Sequence, residues 1–210
     1  MRKLPIYILI DTSGSMKGEP IESVKVGLAN LFSSLKQDSY AKENSYISVI
    51  TFDLKAKLVL PLTAVSRVKL PEIPPLVSSP TNLGEALELL CQRYNLEVRR
   101  SSGTIEGDYL PMAVVMTDGS PSDTLLFSQM CEHIKSYPFA SILGCAAGPK
   151  AKIEPLTKFC HKVVTLDIMD SNSFSKFWVW VTDSITKHDS NIEEQVDDLP
   201  PLPPEIRIAF

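Results

Sequence analysis

Apolar residues along this chain follow two rhythms. Short, mainly apolar runs lie at 6–10, 46–52, 112–117 and 139–147, with a shorter one at 163–166, and the first of them is continuous. Runs of that length and character suit strands buried on both faces, as in a parallel sheet. Residues 56–62 alternate more weakly, with Leu58, Leu60 and Leu62 set against Lys57, Val59 and Pro61. The short gap Asp53-Leu54-Lys55 predicts an antiparallel hairpin with 46–52. The lysine and the proline assign that third strand to a sheet edge.

Between the runs, apolar residues recur every three or four positions. Ile21, Val24, Leu28, Leu31, Phe32 and Leu35 predict a helix over 18–36, and Leu83, Leu87, Leu90 and Tyr94 one from 83 to about 99. Further helices are expected over 124–136, with Asp123 as cap, and over 151–160. A last helix starts near Ser171, its cap, and buries Phe174, Phe177, Trp178, Val181 and Ile185. Trp178 and Trp180 are two residues apart, so only one is expected to face the core; the other is exposed or covered by the tail. Residues 41–45 and 101–111 read as polar connections, and 65–80 as a proline-broken loop. The alternation predicts an α/β fold: a central, mostly parallel six-stranded sheet with one antiparallel edge strand and helices on both faces.

Composition changes this picture only at one end. The 210 residues are 44% hydrophobic and 22% charged, ordinary for a globular domain with a substantial core. The net charge of −4 is concentrated at 189–210, where six acidic residues face one basic one. The expected division is a domain at 1–188 and an acidic, proline-rich tail at 189–210. Two readings of the tail stand side by side. Pro200-Pro201-Leu202-Pro203-Pro204 is a polyproline segment offered to another protein, or Ile206, Ile208 and Phe210 alternate as a strand that docks on the body or on a partner's sheet edge. The nearly balanced body carries no basic nucleic-acid footprint. No run approaches the roughly 20 apolar residues of a membrane helix, and no signal peptide is evident. Cys91, Cys131, Cys145 and Cys160 lie scattered in apolar patterns and read as reduced core thiols of a cytoplasmic protein. The spacing of Cys131, His133, Cys160 and His161 matches no common zinc motif.

The chemistry sits where two strands end. Residues 6–10 run into Asp11-Thr12-Ser13-Gly14-Ser15, and 112–117 into Asp118-Gly119-Ser120-Pro121. Open α/β sheets bind ligands outside the carboxyl ends of their strands. Gly14 lets the first loop turn tightly. If the two strands are neighbours, Asp11 and Asp118 converge on one ion, joined by the hydroxyls of Ser13 and Ser15 and, from a third loop, Thr81. These are hard oxygen donors, suited to Mg2+, Mn2+ or Ca2+ rather than zinc, and the two carboxylates balance a divalent charge. The plainer alternatives are a capping turn at Asp11–Ser15, an N-cap at Thr81 and an Asp-Gly turn at Asp118.

Asp11-Thr12-Ser13-Gly14-Ser15-Met16 resembles the DxSxS signature of von Willebrand factor type A (VWA) domains. Thr81 stands where that family has its second-loop threonine, and Thr117-Asp118-Gly119 resembles its third-loop TDG. The resemblance implies a Rossmann-like VWA fold. It also implies that Asp11, Ser13, Ser15, Thr81 and Asp118 form a metal-ion-dependent adhesion site (MIDAS), completed by a partner's Asp or Glu. The stretches Leu4-Pro5-Ile6-Tyr7, Met16-Lys17-Gly18-Glu19-Pro20-Ile21 and Ser79-Pro80-Thr81-Asn82-Leu83-Gly84 resemble the bacterial TerY-like group, as does the proline-rich ending. That group implies a stress or tellurium-resistance role beside a protein kinase and a PP2C-like phosphatase. The family often has Gly-Gly where this chain has Ser79-Pro80, and proline stiffens that loop.

The expected function is therefore a metal-dependent protein-interaction module without catalysis. The alternative is a metal-dependent hydrolase or phosphoesterase acting through an activated water. Against it, no histidine lies near the three loops and no spare carboxylate offers a general base. GxxxxGK[ST] and GxSxG are both absent, and Ser13 fills the second acidic position of a DxD motif.

Overall fold

The first apolar run becomes β1 (Leu4–Asp11), and all eight of its residues are buried. It lies inside one seven-stranded sheet of the computed structural model, which describes residues 2–73, 80–104, 106–166, 170–187, 200–203 and 206–209. The other strands are β2 (Ser45–Phe52), β3 (Ala56–Ala64), β4 (Met112–Thr117), β5 (Ser141–Ala147), β6 (Lys162–Leu166) and β7 (Arg207–Ile208). The helices are α1 (Glu19–Gln37), α2 (Ser39–Asn44), α3 (Leu83–Glu97), α4 (Thr124–Ile134), α5 (Glu154–Thr157) and α6 (Ser171–Lys187). Across the sheet the order is β3-β2-β1-β4-β5-β6-β7. From β2 to β6 every pairing is parallel, with Ile6 opposite both Ile47 and Met112.

Successive β1 side chains point to opposite faces. Ile6, Ile8 and Ile10 join a core shared with α1 and α6, while Tyr7 and Leu9 join a second core shared with α3 and α4. The four cysteines are free and buried. α1 lies close on α6, and Gly27 is the reason it can. A Cβ at Gly27 would come within 1.9 Å of Trp178 Cδ1.

Two expectations change. The sheet has seven strands, not six, and antiparallel strands close both edges: β3 on β2, and β7 on β6 through Val164–Ile208 and Thr165–Arg207. The tail supplies β7, so within 200–203 and 206–209 the docked reading holds. Ile206 is buried in the core and the Ala209 N–H donates to the Val163 carbonyl at 2.9 Å. The acidic part of the tail, 188–199, lies outside the described residues, as does Ser79. Both tryptophans of α6 are buried, so of the two readings of the second one the tail-covered reading holds. Trp178 packs on α1, and Trp180 is covered by the tail, its indole Nε1 donating to the Pro200 carbonyl at 2.8 Å. Finally, the expected connection at 41–45 is mostly α2. The Asp38 carboxylate accepts from Ala41 N at 2.7 Å and caps it. A one-turn helix that buries only Ala41 leaves no periodic signal.

Candidate metal centre

β1 lies between β2 and β4, where the chain order reverses, so the crevice at its carboxyl end is the expected ligand position for this topology. Asp11, the last residue of β1, is fully buried there. Thr117, at the end of neighbouring β4, donates its hydroxyl to Asp11 Oδ2 at 2.5 Å. Ser13 N donates to Asp11 Oδ1 at 2.8 Å. One carboxylate is thus held by two loops.

The first loop then makes a single 3-10 turn, Gly14–Met16, closed by Met16 N to Ser13 O at 3.1 Å. Buried Met16 anchors this turn in the core. Thr12 ties the loop to β2 from both its amide and its hydroxyl, which donate to Phe52 O at 2.8 and 3.2 Å. Gly18, at φ +96°, redirects the chain into α1, a conformation other residues adopt at a cost. With the turn so fixed, Ser13 Oγ and Ser15 Oγ lie 3.1 Å apart, and Ser15 Oγ donates to Asp118 Oδ1 at 2.8 Å. Asp11, Ser13, Ser15 and Asp118 therefore form one connected group.

Thr81, at the start of α3, stands beside Gly119 of the third loop. Its amide donates to Ser122 Oγ at 3.1 Å and its carbonyl accepts from Ser122 N at 2.8 Å. Asn82 fastens the other flank, its amide donating to Asp53 O at 2.8 Å and its side chain to Leu54 O at 2.9 Å. The Thr81 hydroxyl faces Gly119, where a Cβ would stand 3.0 Å from Oγ1. Ser122 and Asn82 thus shape the loop. Asp123 does not cap α4 with its side chain, as its position suggested. Its carboxylate accepts from Gly84 N at 3.1 Å and Glu85 N at 2.9 Å, capping α3 instead. The two helices start side by side, and Gly84 permits the approach: a Cβ there would lie 2.6 Å from Asp123 Oδ2. At the start of α6, Asp170 takes the capping role expected of Ser171, accepting from Ser173 N at 2.8 Å.

Burial is the main influence on both acids. It pushes the Asp11 carboxyl up to about 6, against the lowering effect of its bonds to Thr117 and Ser13, and the Asp118 charge adds to the rise. Asp118 is raised as well, first by burial, with the Ser15 bond opposing. Two desolvated carboxylates with convergent hydroxyls are an unfavourable grouping that a divalent cation would relieve. The donor set fits such an ion: two anionic oxygens and three neutral ones, all hard. Because hydroxyls supply so much of it, no cluster of three or more His, Cys, Asp or Glu gathers among the described residues. Thr117 and Thr12 are the positioning residues that sequence reasoning passed over. The Thr-Asp-Gly triplet held the signal for Thr117; nothing local marked Thr12. Cys131 and Cys160 are buried thiols, and His161 Nδ1 accepts from Ile142 N at 3.0 Å, at the other end of the sheet.

A family model for the von Willebrand factor type A domain matches residues 6–162. No curated protein matches the chain. Solved structures do. Proximal thread matrix protein 1 from the mussel byssus, in a form with a zinc-occupied MIDAS motif, is 15% identical with a TM-score of 0.60, over 87% of this chain and 48% of its own. A von Willebrand factor type A protein from Catenulispora acidiphila is 16% identical, TM-score 0.63, over 87% and 42%. The pilus adhesin SpaC from Lactobacillus rhamnosus GG, in an open conformation, is 11% identical, TM-score 0.71, over 90% and 30%. The chain therefore spans half or less of the length of each, and at these identities the likeness is one of fold.

Proposed function

The chain belongs to the von Willebrand factor type A family, and from that premise we propose that its carboxyl-end crevice is a metal-dependent protein-docking site. VWA domains are generally interaction modules rather than enzymes. In this reading Asp11, Ser13, Ser15, Thr81 and Asp118 hold one divalent cation, and a partner protein completes its shell with an Asp or Glu carboxylate. The observation that carries the reading is the hydrogen-bonded group Asp11–Ser13–Ser15–Asp118, drawn from two loops and buried at Asp11. The cation supplies a positive centre for an incoming carboxylate. The chain's own residues do the positioning: Thr117 and Ser13 N fix the Asp11 oxygens, Ser15 orients Asp118, and Ser122 and Asn82 hold Thr81 against Gly119.

Hard oxygens favour Mg2+, with Mn2+ or Ca2+ as substitutes. Catalysis is not part of this reading. His133 and His161 lie at the far end of α4 and before β6, remote from the crevice, and the two acids there are both committed to the ion. No helix among the described residues is long and apolar enough to cross a membrane, and the buried free thiols support a cytoplasmic setting. On the motif resemblance to the TerY-like group, the partners are a protein kinase and a PP2C-like phosphatase in a bacterial stress or tellurium-resistance complex.

Titration calorimetry of Mg2+, Mn2+ and Zn2+ into chelator-stripped protein tests the core of this reading. One ion per chain is expected, with binding lost in Asp11→Ala and in Thr81→Ala. A folded wild type that takes up none of these ions would overturn it.

A further inference from the structure

The crevice at the end of β1 has two unlike banks. Toward α1, the first loop exposes Ser15, Lys17, Gly18 and Glu19, and these four offer polar and backbone groups. Toward α3 and α4, which share one face of the sheet, two leucines stand in water. Leu54 is 55% exposed and Leu125 75%, and neither belongs to a hydrophobic core.

Both leucines are fastened to the segment that presents Thr81. Leu54 lies in the turn between β2 and β3, and its carbonyl accepts from the Asn82 side chain at 2.9 Å. Asp53, beside it, accepts from Asn82 N at 2.8 Å. Leu125 belongs to the first turn of α4. It follows Ser122, which bonds to both the amide and the carbonyl of Thr81, and Asp123, whose carboxylate holds Gly84 N and Glu85 N. Leu54 and Leu125 therefore flank the start of α3 from its two sides. The charges on this bank cancel, because Lys55 pairs with Glu85 at 2.8 Å. Exposed apolar groups on a neutral rim beside a polar centre suit a protein contact.

A carboxylate that enters the crevice brings its own chain against this rim. In an extended segment, side chains two positions from the acid point the same way as it does, about 6.6 Å along. We propose that the crevice receives an extended acidic segment of a partner protein, with aliphatic side chains two positions either side of its Asp or Glu that pack on Leu54 and Leu125. This rests on the reading of the crevice as a metal-dependent docking site, and adds what the partner carries beside its carboxylate.

The test titrates two capped peptides, Leu-Gly-Glu-Gly-Leu and Ala-Gly-Glu-Gly-Ala, into the full chain loaded with Mg2+, followed by amide NMR shifts. The leucine peptide is expected to give saturable shifts at Leu54, Leu125 and the 11–17 loop, with a Kd on the order of 1 mM. The alanine peptide is expected to bind about tenfold more weakly, as is the leucine peptide to the Leu54→Ser/Leu125→Ser variant. Both leucines are exposed, so that variant keeps the fold and its Mg2+ affinity. Equal binding of the two peptides, full affinity in the double variant, or no saturable shift with Mg2+ bound would each overturn the proposal and leave the metal site standing. A wild type that takes up no Mg2+, or peptide binding that survives chelation, would overturn the metal-dependent reading and this proposal with it.

Discussion

The loops at the carboxyl end of β1 and the tail on β6 are both held by long-range contacts, but by opposite physics. In the crevice, polar atoms satisfy one another: Thr117 and Ser13 N on Asp11, Ser15 on Asp118, Ser122 on Thr81. Two desolvated acids keep that group short of its best energy, and in the proposed reading a cation completes it. On the tail, Ile206 is buried, Leu202 packs on the core and Trp180 gives its indole proton to Pro200. Burial of Ile206 anchors that region, although Ile208 on β7 stays exposed. In the proposed reading, the difference separates a region that serves binding from one that supplies stability.

The sharpest test of this contrast is the charge of Asp11. Asp11→Ala is expected to weaken divalent-ion binding at least about 100-fold by calorimetry, close to 3 kcal/mol, while the fold persists. Next is the tail: Ile206→Ala removes a buried side chain and should cost about 3 kcal/mol in denaturant unfolding, with ion affinity unchanged. A parallel loss of ion affinity would join the two regions into one unit and break the comparison.

The stripped protein offers a third test. The folded-state carboxyl of Asp11 lies at about 6, above its ordinary 3.8. Its raised value favours folding while the group stays protonated, below about 4, and that contribution is lost as pH climbs through 6. Chelated wild type should therefore lose about 2 kcal/mol between pH 4 and pH 7 that Asp11→Asn does not lose, read from unfolding midpoints in each buffer. Saturating divalent ion should restore it. An identical pH response in the two proteins would show that Asp11 carries no such penalty. The smallest effect expected is that of Trp180→Phe, which keeps the ring contact and loses the bond to Pro200: about 1 kcal/mol, with no change in ion affinity.

The legibility of the two regions differed as their physics does. β1 and β4 were readable because strands buried on both faces are apolar at nearly every position, and the expected run 112–117 coincides with β4. Asp11, Ser13 and Ser15 were readable as a group because four consecutive bonds of chain already place them together, and their spacing carries the signal. β7 was only half readable. Two residues of alternating pattern suit a docked strand or a free segment equally, and the choice depends on whether β6 presents a free edge. Trp178 and Trp180 were half readable for a related reason: a helix has two buried sides when another helix covers one and a returning tail covers the other, and the tail's position is not written in the helix.

Local chemistry, then, is what this chain's residues determined by themselves: which runs are strands, which faces are apolar, and that two strands end in oxygen-rich turns. The tertiary structure alone decided what meets across the chain. It set Thr117 against Asp11, sent Asp123 to the start of α3 rather than α4, and closed the sheet with residues about forty positions beyond β6. A hydrogen bond or an edge pairing between distant segments depends on where the packed cores bring them, and local patterning carries no record of that distance.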